Sequence, residues 1–232
     1  MNHNATQLHA DPEKEGVTKF SSQHKTAPIP TTWNSQLQKL LGWRTVAFDL
    51  GAIGIDPNRY QGLGYGNFSI RIPPAYRETG KRSFLVTCTQ TSGPRRINPD
   101  AVCAVLKYST AKNAVVSMGP CRPSSESLTH ATIYDLDFRI QSVIHGHIPN
   151  LWRFGINNQW PTTPEHVAYG TTAMCQAVRR LYRNTDLPTR KLLLMGGHED
   201  GVIAFGRSPQ EAFTHFSAGL AQSYGQNENR AV

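Results

Sequence analysis

Residues 140–147 read Ile-Gln-Ser-Val-Ile-His-Gly-His, an apolar run, strand-like over 140–145, that ends in a His-x-His pair. In extended backbone, residues two apart point to the same face. The imidazoles of His145 and His147 could then reach one metal at about 2.0–2.1 Å, the usual Zn–N distance. Taken alone, such a pair reads more readily as two unrelated surface or core histidines. A third histidine shifts the balance. His198 stands in Met195-Gly196-Gly197-His198-Glu199-Asp200-Gly201, just after a second apolar run at 191–195. Three histidine ligands with an open fourth position describe a catalytic zinc rather than a structural one.

Outward from these runs the chain alternates strand-like and helical patterns. Further strand-like segments occupy 83–87, 101–108, 114–118 and 202–205. Leu37, Leu40, Leu41, Arg44 and Phe48 recur at helical steps, and the pattern stops at glycines 51–54. A second helix is expected to start at Pro123-Ser124-Ser125-Glu126. A third is expected to start with Thr163 as N-cap and Pro164 at the first helical position, running through Leu181. A last one spans 209–224. The reading is one α/β domain over 31–225, with residues 1–30 as a flexible arm and 226–232 as a frayed tail.

Among the 232 residues, 38% are hydrophobic and 17% charged, which excludes a disordered polyampholyte and a coiled coil. No stretch approaches about 18 apolar residues, and the N-terminus is polar, so no membrane partner is expected and a cytoplasmic location follows by default. The net charge of +8 admits nucleic acid, an anionic membrane surface or an anionic small substrate. The basic residues are scattered and no zinc-finger spacing occurs, which argues against nucleic acid. Cys88, Cys103, Cys121 and Cys175 form no C-x-x-C pair and are expected to be reduced, buried small hydrophobes.

Two further segments carry polar chemistry. In Arg122-Pro123-Ser124-Ser125-Glu126, two hydroxyls and the free N–H groups of a helix start make an anion site, and Glu126 is a candidate general base. The same pattern is also ordinary helix capping. His130 follows Glu126 by four residues, on the same helical face, as a metal-site neighbour or a packing histidine. Gly66-Asn67, after a glycine-dense loop, and Thr91-Ser92-Gly93 offer close backbone approach and neutral hydrogen bonds.

The order G-N-x-S, T-S-G, P-S-S-E-x-x-x-H, H-x-H after a strand, then a late G-H before another strand resembles the class II aldolase/adducin head family, from about Trp33 to Ala212. The resemblance implies a three-layer αβα sandwich around a mostly antiparallel sheet of about nine strands, often in a homotetramer with sites between subunits. It implies Zn²⁺, or another divalent first-row metal, on His145, His147 and His198. It places a substrate phosphate at Gly66, Asn67, Thr91, Ser92, Ser124 and Ser125, and the acid/base at Glu126, where pentulose-phosphate epimerases have Asp. The chain departs from fuculose- and rhamnulose-type aldolases in having only residues 148–168 between the His-x-His pair and Tyr169, with no evident counterpart of their acid tyrosine; Tyr224 is the candidate left. The expected function is a zinc-dependent lyase acting on a small hydroxy-carbonyl, a phosphorylated sugar, through a metal-stabilised enediolate. Dehydration or epimerisation at the same site, or a non-catalytic adducin-like binding module, are the alternatives.

Overall fold

The computed structural model describes residues 18–74 and 78–225. Its centre is a nine-stranded sheet. The strands are β1 (Ser21–Thr26), β4 (Asn67–Arg71), β5 (Phe84–Thr87), β6 (Val102–Ser109), β7 (Ala114–Gly119), β8 (Ser142–His147), β9 (Thr162–Thr163), β10 (Leu192–Met195) and β11 (Gly201–Gly206). They lie in the order β1-β7-β6-β5-β4-β8-β11-β10-β9. Every neighbouring pair is antiparallel except β1 with β7 and β9 with β10, the two edges. A two-residue ladder of β2 (Gly54–Ile55) and β3 (Gly64–Tyr65) stands apart.

Helices cover both faces because the strands are apolar on both. Val143, Leu193, Met195, Ile203 and Phe205 pack with α2 (Ser127–Leu136) and α4 (Thr172–Asn184) through Leu128, Tyr134, Met174 and Val178. The intervening residues Ile144, Leu192, Leu194, Val202 and Ala204 turn to α1 (Asn34–Asp49), α3 (Pro149–Asn157) and α6 (Pro209–Gly225), through Leu37, Leu40, Leu151, Phe213 and Phe216. A period of two thus divides one strand between two cores, and the layers are αβα, mostly antiparallel, as expected. A one-turn helix, α5 (Leu187–Arg190), leads into β10.

Outside the metal centre, four expectations change. Residues 21–26, read as part of an arm, form β1 in parallel register with β7, Ser21 opposite Ala114. Residues 1–17, the rest of that arm, and the tail at 226–232 lie outside the described residues. The helix expected from Thr163 begins at Thr172, capped by Thr171, whose Oγ1 accepts from Met174 N at 3.2 Å. Thr163 is diverted because the exposed edge of β10 recruits it, and its hydroxyl accepts from Gly196 N at 3.1 Å. Helix α3, with Pro149 in its first turn, fills the segment that showed no element in sequence. Finally, Cys88 and Cys121 are disulfide-bonded, their Cα atoms 6.0 Å apart, because an antiparallel bridge of Cys88 with Pro123 brings the two together. Cys103 and Cys175 are free and buried as expected.

Candidate metal centre

Strand pairing assembles the site. His145 and His147 point from β8 to the α2/α4 face, the same side as Val143. In register, Asn67 of β4 lies opposite His145, and Gly201 of β11 lies opposite His147. The turn from β10 into β11 then folds His198 over the pair. Ligand-type atoms of the three histidines all lie within 4.8 Å of one another. His147 Nε2 and His198 Nε2 face each other at 3.1 Å, and all three rings are buried.

Glu126, at the N-cap of α2, completes the cluster. Its Oε2 touches His145 Nδ1 and accepts from Asn67 Nδ2 at 3.2 Å, while its Oε1 lies 3.6 Å from His198 Nε2. Helix α2 starts a few residues later than expected, after a turn in which Ser127 N and Oγ both donate to Ser124 O. Burial opposes ionisation of Glu126, yet the hydrogen bond with His145 and the charge that the neighbouring rings carry when protonated outweigh it and lower its pKa. Burial first, then the charges of the other histidines, holds His147 well below its ordinary value. His198 drops to about 4, again mainly through burial. Neutral imidazoles present lone pairs, the form a metal requires. His145 Nε2 and His147 Nδ1 are buried without a hydrogen-bond partner. Three converging imidazoles, two of them with a buried nitrogen that has no hydrogen-bond partner, fit a divalent late first-row metal by donor type.

His130 does not join this cluster. Its Nδ1 meets Ser69 Oγ at 2.7 Å, and Ser69 Oγ in turn meets Tyr134 Oη at 2.7 Å. Burial lowers its pKa to about 3. Tyr224 is 54% exposed at the end of α6, and among the described residues no hydrogen bond or ring contact joins it to the histidines.

Of the expected phosphate groups, Thr91, Ser92, Ser124 and Ser125 occupy two adjoining loops, Gly66 lies just before β4, and the Asn67 amide is turned to Glu126 and His145. The Cys88–Cys121 bond, the Cys88–Pro123 bridge and the bond from Thr89 N to Arg122 O (3.2 Å) hold residues 88–92 beside 121–125. Thr91 Oγ1 donates to Cys88 O at 2.7 Å and Ser92 Oγ to Gly66 O at 3.0 Å, so both hydroxyls brace backbone. Gly66 adopts φ +74°, and a Cβ there would lie 2.8 Å from Ala52 O, so only glycine fits. Ser124 Oγ accepts from Glu126 N at 3.3 Å, and Ser125 is buried beside it.

Other residues near the site carried no readable pattern. Arg59 and Tyr60 both donate to Asp200 Oδ2, at 2.6 and 2.8 Å, and the Tyr60 ring stands edge-on to His147 with centroids 4.6 Å apart. These partners are about 140 positions apart in sequence. The buried Arg44 guanidinium donates to the carbonyls of Ser92, Pro94 and Arg95, clamping the loop that follows Thr91. Its position in a helical apolar stripe was visible; its partners were not.

A family model, the class II aldolase and adducin N-terminal domain, matches residues 55–219. The chain belongs to this family. Among solved structures, a sugar-phosphate aldolase from Thermotoga maritima superposes with TM-score 0.60 at 15% identity, covering 82% of this chain and 93% of that one. YgbL from Escherichia coli gives 0.59 at 16%, covering 82% and 87%. An L-fuculose 1-phosphate aldolase gives 0.56 at 16%, covering 84% and 87%. At such identities these likenesses speak for the fold. No curated protein sequence matches the chain. Among the described residues, no helix of this family member is long and apolar enough to cross a membrane.

Proposed function

We propose that the protein is a divalent-metal-dependent lyase of the aldolase type, acting on a small hydroxy-carbonyl compound that carries a phosphate. The observation that supports this most is the placement of one buried carboxylate, Glu126, within contact distance of two of three converging imidazoles. In this reading His145, His147 and His198 hold Zn²⁺ or a related ion, which when bound polarises the substrate oxygens as a Lewis acid. Glu126 is kept ionised at neutral pH and accepts a proton from the carbon next to the carbonyl. The resulting enediolate carbon attacks an aldehyde carbon, and the proton taken from carbon passes to the new alkoxide oxygen as the carbon–carbon bond forms; in cleavage that hydroxyl gives up its proton, the bond breaks, and Glu126 returns a proton to the enediolate carbon. Asn67 fixes Oε2 through its amide, which leaves Oε1, a buried atom without a hydrogen bond, for the transferred proton. Burial of the cluster excludes water that would otherwise quench the carbanion.

The reading includes a homotetramer, whose mass light scattering would report. The site itself is tested by elemental analysis of protein purified without chelator. About one divalent ion per chain is expected, lost in His145→Ala and in His147→Ala; retention in both variants would remove the histidines from the site. A screen of sugar phosphates with product analysis then separates carbon–carbon cleavage from dehydration and epimerisation.

A further inference from the structure

Lys19 lies outside residues 55–219, the span shared with the family, and within the segment that read as an arm. The fold nevertheless carries it to the metal centre. Phe20, the next residue, is buried in the core beneath α2 and α4. Asn113, in the β6–β7 turn, grips the chain on both sides of Phe20. Its Nδ2 donates to Lys19 O at 2.7 Å and its carbonyl accepts from Ser21 N at 2.9 Å. The parallel register of β1 on β7 continues from there.

With its backbone fixed, Lys19 places Nζ 4.1 Å from the centre of the Tyr169 ring, which packs against His198 with centroids 4.9 Å apart. At Gly170, a Cβ would lie 3.9 Å from Lys19 Cβ and 2.8 Å from Ser125 O. Lys19 therefore stands where the Ser124–Ser125 turn and His198 approach one another. Its charge is also felt at the His198 ring. The groups beside the Ser124–Ser125 turn include hydroxyls and the Glu126 carboxylate, and Asp200 also acts on His198; these carboxylates repel an incoming anion. A compact ammonium on a flexible stem offsets that repulsion and can follow an oxyanion as it binds.

Resting on the reading above, we infer that Lys19 is a specificity-determining residue that binds the anionic group of the substrate together with the Ser124–Ser125 turn. The ligand chemistry is a phosphate-type oxyanion.

Calorimetric titration of the full-length, metal-loaded protein with inorganic phosphate tests this in wild type, Lys19→Met and Lys19→Arg. The Met variant keeps the stem without the charge. Phosphate affinity should fall about tenfold in Lys19→Met and recover in Lys19→Arg, with Tm and metal content unchanged. Wild-type affinity should weaken as salt rises. Equal affinity in wild type and Lys19→Met overturns the inference. So does weak binding in both variants with a lowered Tm, which makes the lysine a prop for Tyr169 only. If wild type binds no phosphate, the inference falls while the metal and Glu126 reading stands. Conversely, a protein without metal whose phosphate binding still depends on Lys19 keeps this inference and loses the lyase.

Discussion

The two faces of the central sheet bury different chemistry. In β4, Phe68 and Ile70 pack under α1 and α6, while the alternate residues Asn67 and Ser69 bond to Glu126 and His130 on the α2 side. In β8, Ile144 joins the same apolar core as Phe68, and a Cβ on Gly146 would lie 3.1 Å from Phe216, whereas His145 and His147 face Glu126 and His198. The α1/α3/α6 face is mostly packing, its buried polar groups being few, among them the Arg44 guanidinium and Gln36 Oε1, both on α1. The α2/α4 face keeps buried polar atoms without hydrogen bonds at Asn67, Glu126, Thr129, His130, His145 and His147. Each such atom costs about 1–3 kcal/mol if left unmet. One face thus stabilises the fold while the other gives up stability for a reactive centre, and the strand period of two lets both share the same backbone.

Substitutions on the two faces should part company. The largest effect is expected for Glu126→Gln, which keeps shape and most hydrogen bonding but cannot transfer a proton. Turnover should fall roughly 10²–10⁴-fold with metal content and Tm retained, read by steady-state kinetics and a melting curve. Normal turnover would erase the functional half of the contrast. On the packing face, Phe216→Ala should cost roughly 3–5 kcal/mol of unfolding free energy in urea, since the ring is fully buried. Metal stoichiometry should not change in the folded fraction; if metal is lost in step with packing, the faces are not separable.

A smaller effect concerns pH. His130, whose pKa falls to about 3 in the fold, stays neutral there, while the unfolded chain protonates it below about 6.5. The unfolded state therefore binds more protons between those values. The stability contributed is complete above about 6.5 and is lost as pH falls, by about 1.4 kcal/mol per pH unit across the window. Denaturant melts at pH 7, 6 and 5 should show a slope to which His147 and His198 also contribute, and His130→Leu should reduce it by about 1.4 kcal/mol per pH unit. An unchanged slope in the variant would assign the pH dependence to other groups on that face.

What could be read in advance follows from what is local. Continuous apolar runs at Leu192–Met195 and Gly201–Gly206 exposed strands buried on both faces, and the strand period of two put His145 beside His147. The His198 and Glu126 positions were legible through motif order. Strand β1 was not, because Ser21–Thr26 is polar and only its partner β7 makes it a strand. The helix expected at Thr163 moved because capping threonines also occur before Thr172, and the edge of β10 decided between them. The Cys88–Cys121 bond, 33 residues in separation, and the Arg59–Tyr60–Asp200 contacts depend on tertiary proximity that no spacing encodes.

That disulfide also has a consequence for the denatured ensemble. The ring it closes contains the whole of β6 and β7, two strands already paired with each other. A chain unfolded with this bond intact carries a covalently closed hairpin and cannot expand fully. Urea should then expose less new surface in the oxidised protein than in the reduced one, so the m-value should rise on reduction. Native contacts of the site need not change for this to occur. The bond acts most on the state in which the site does not exist.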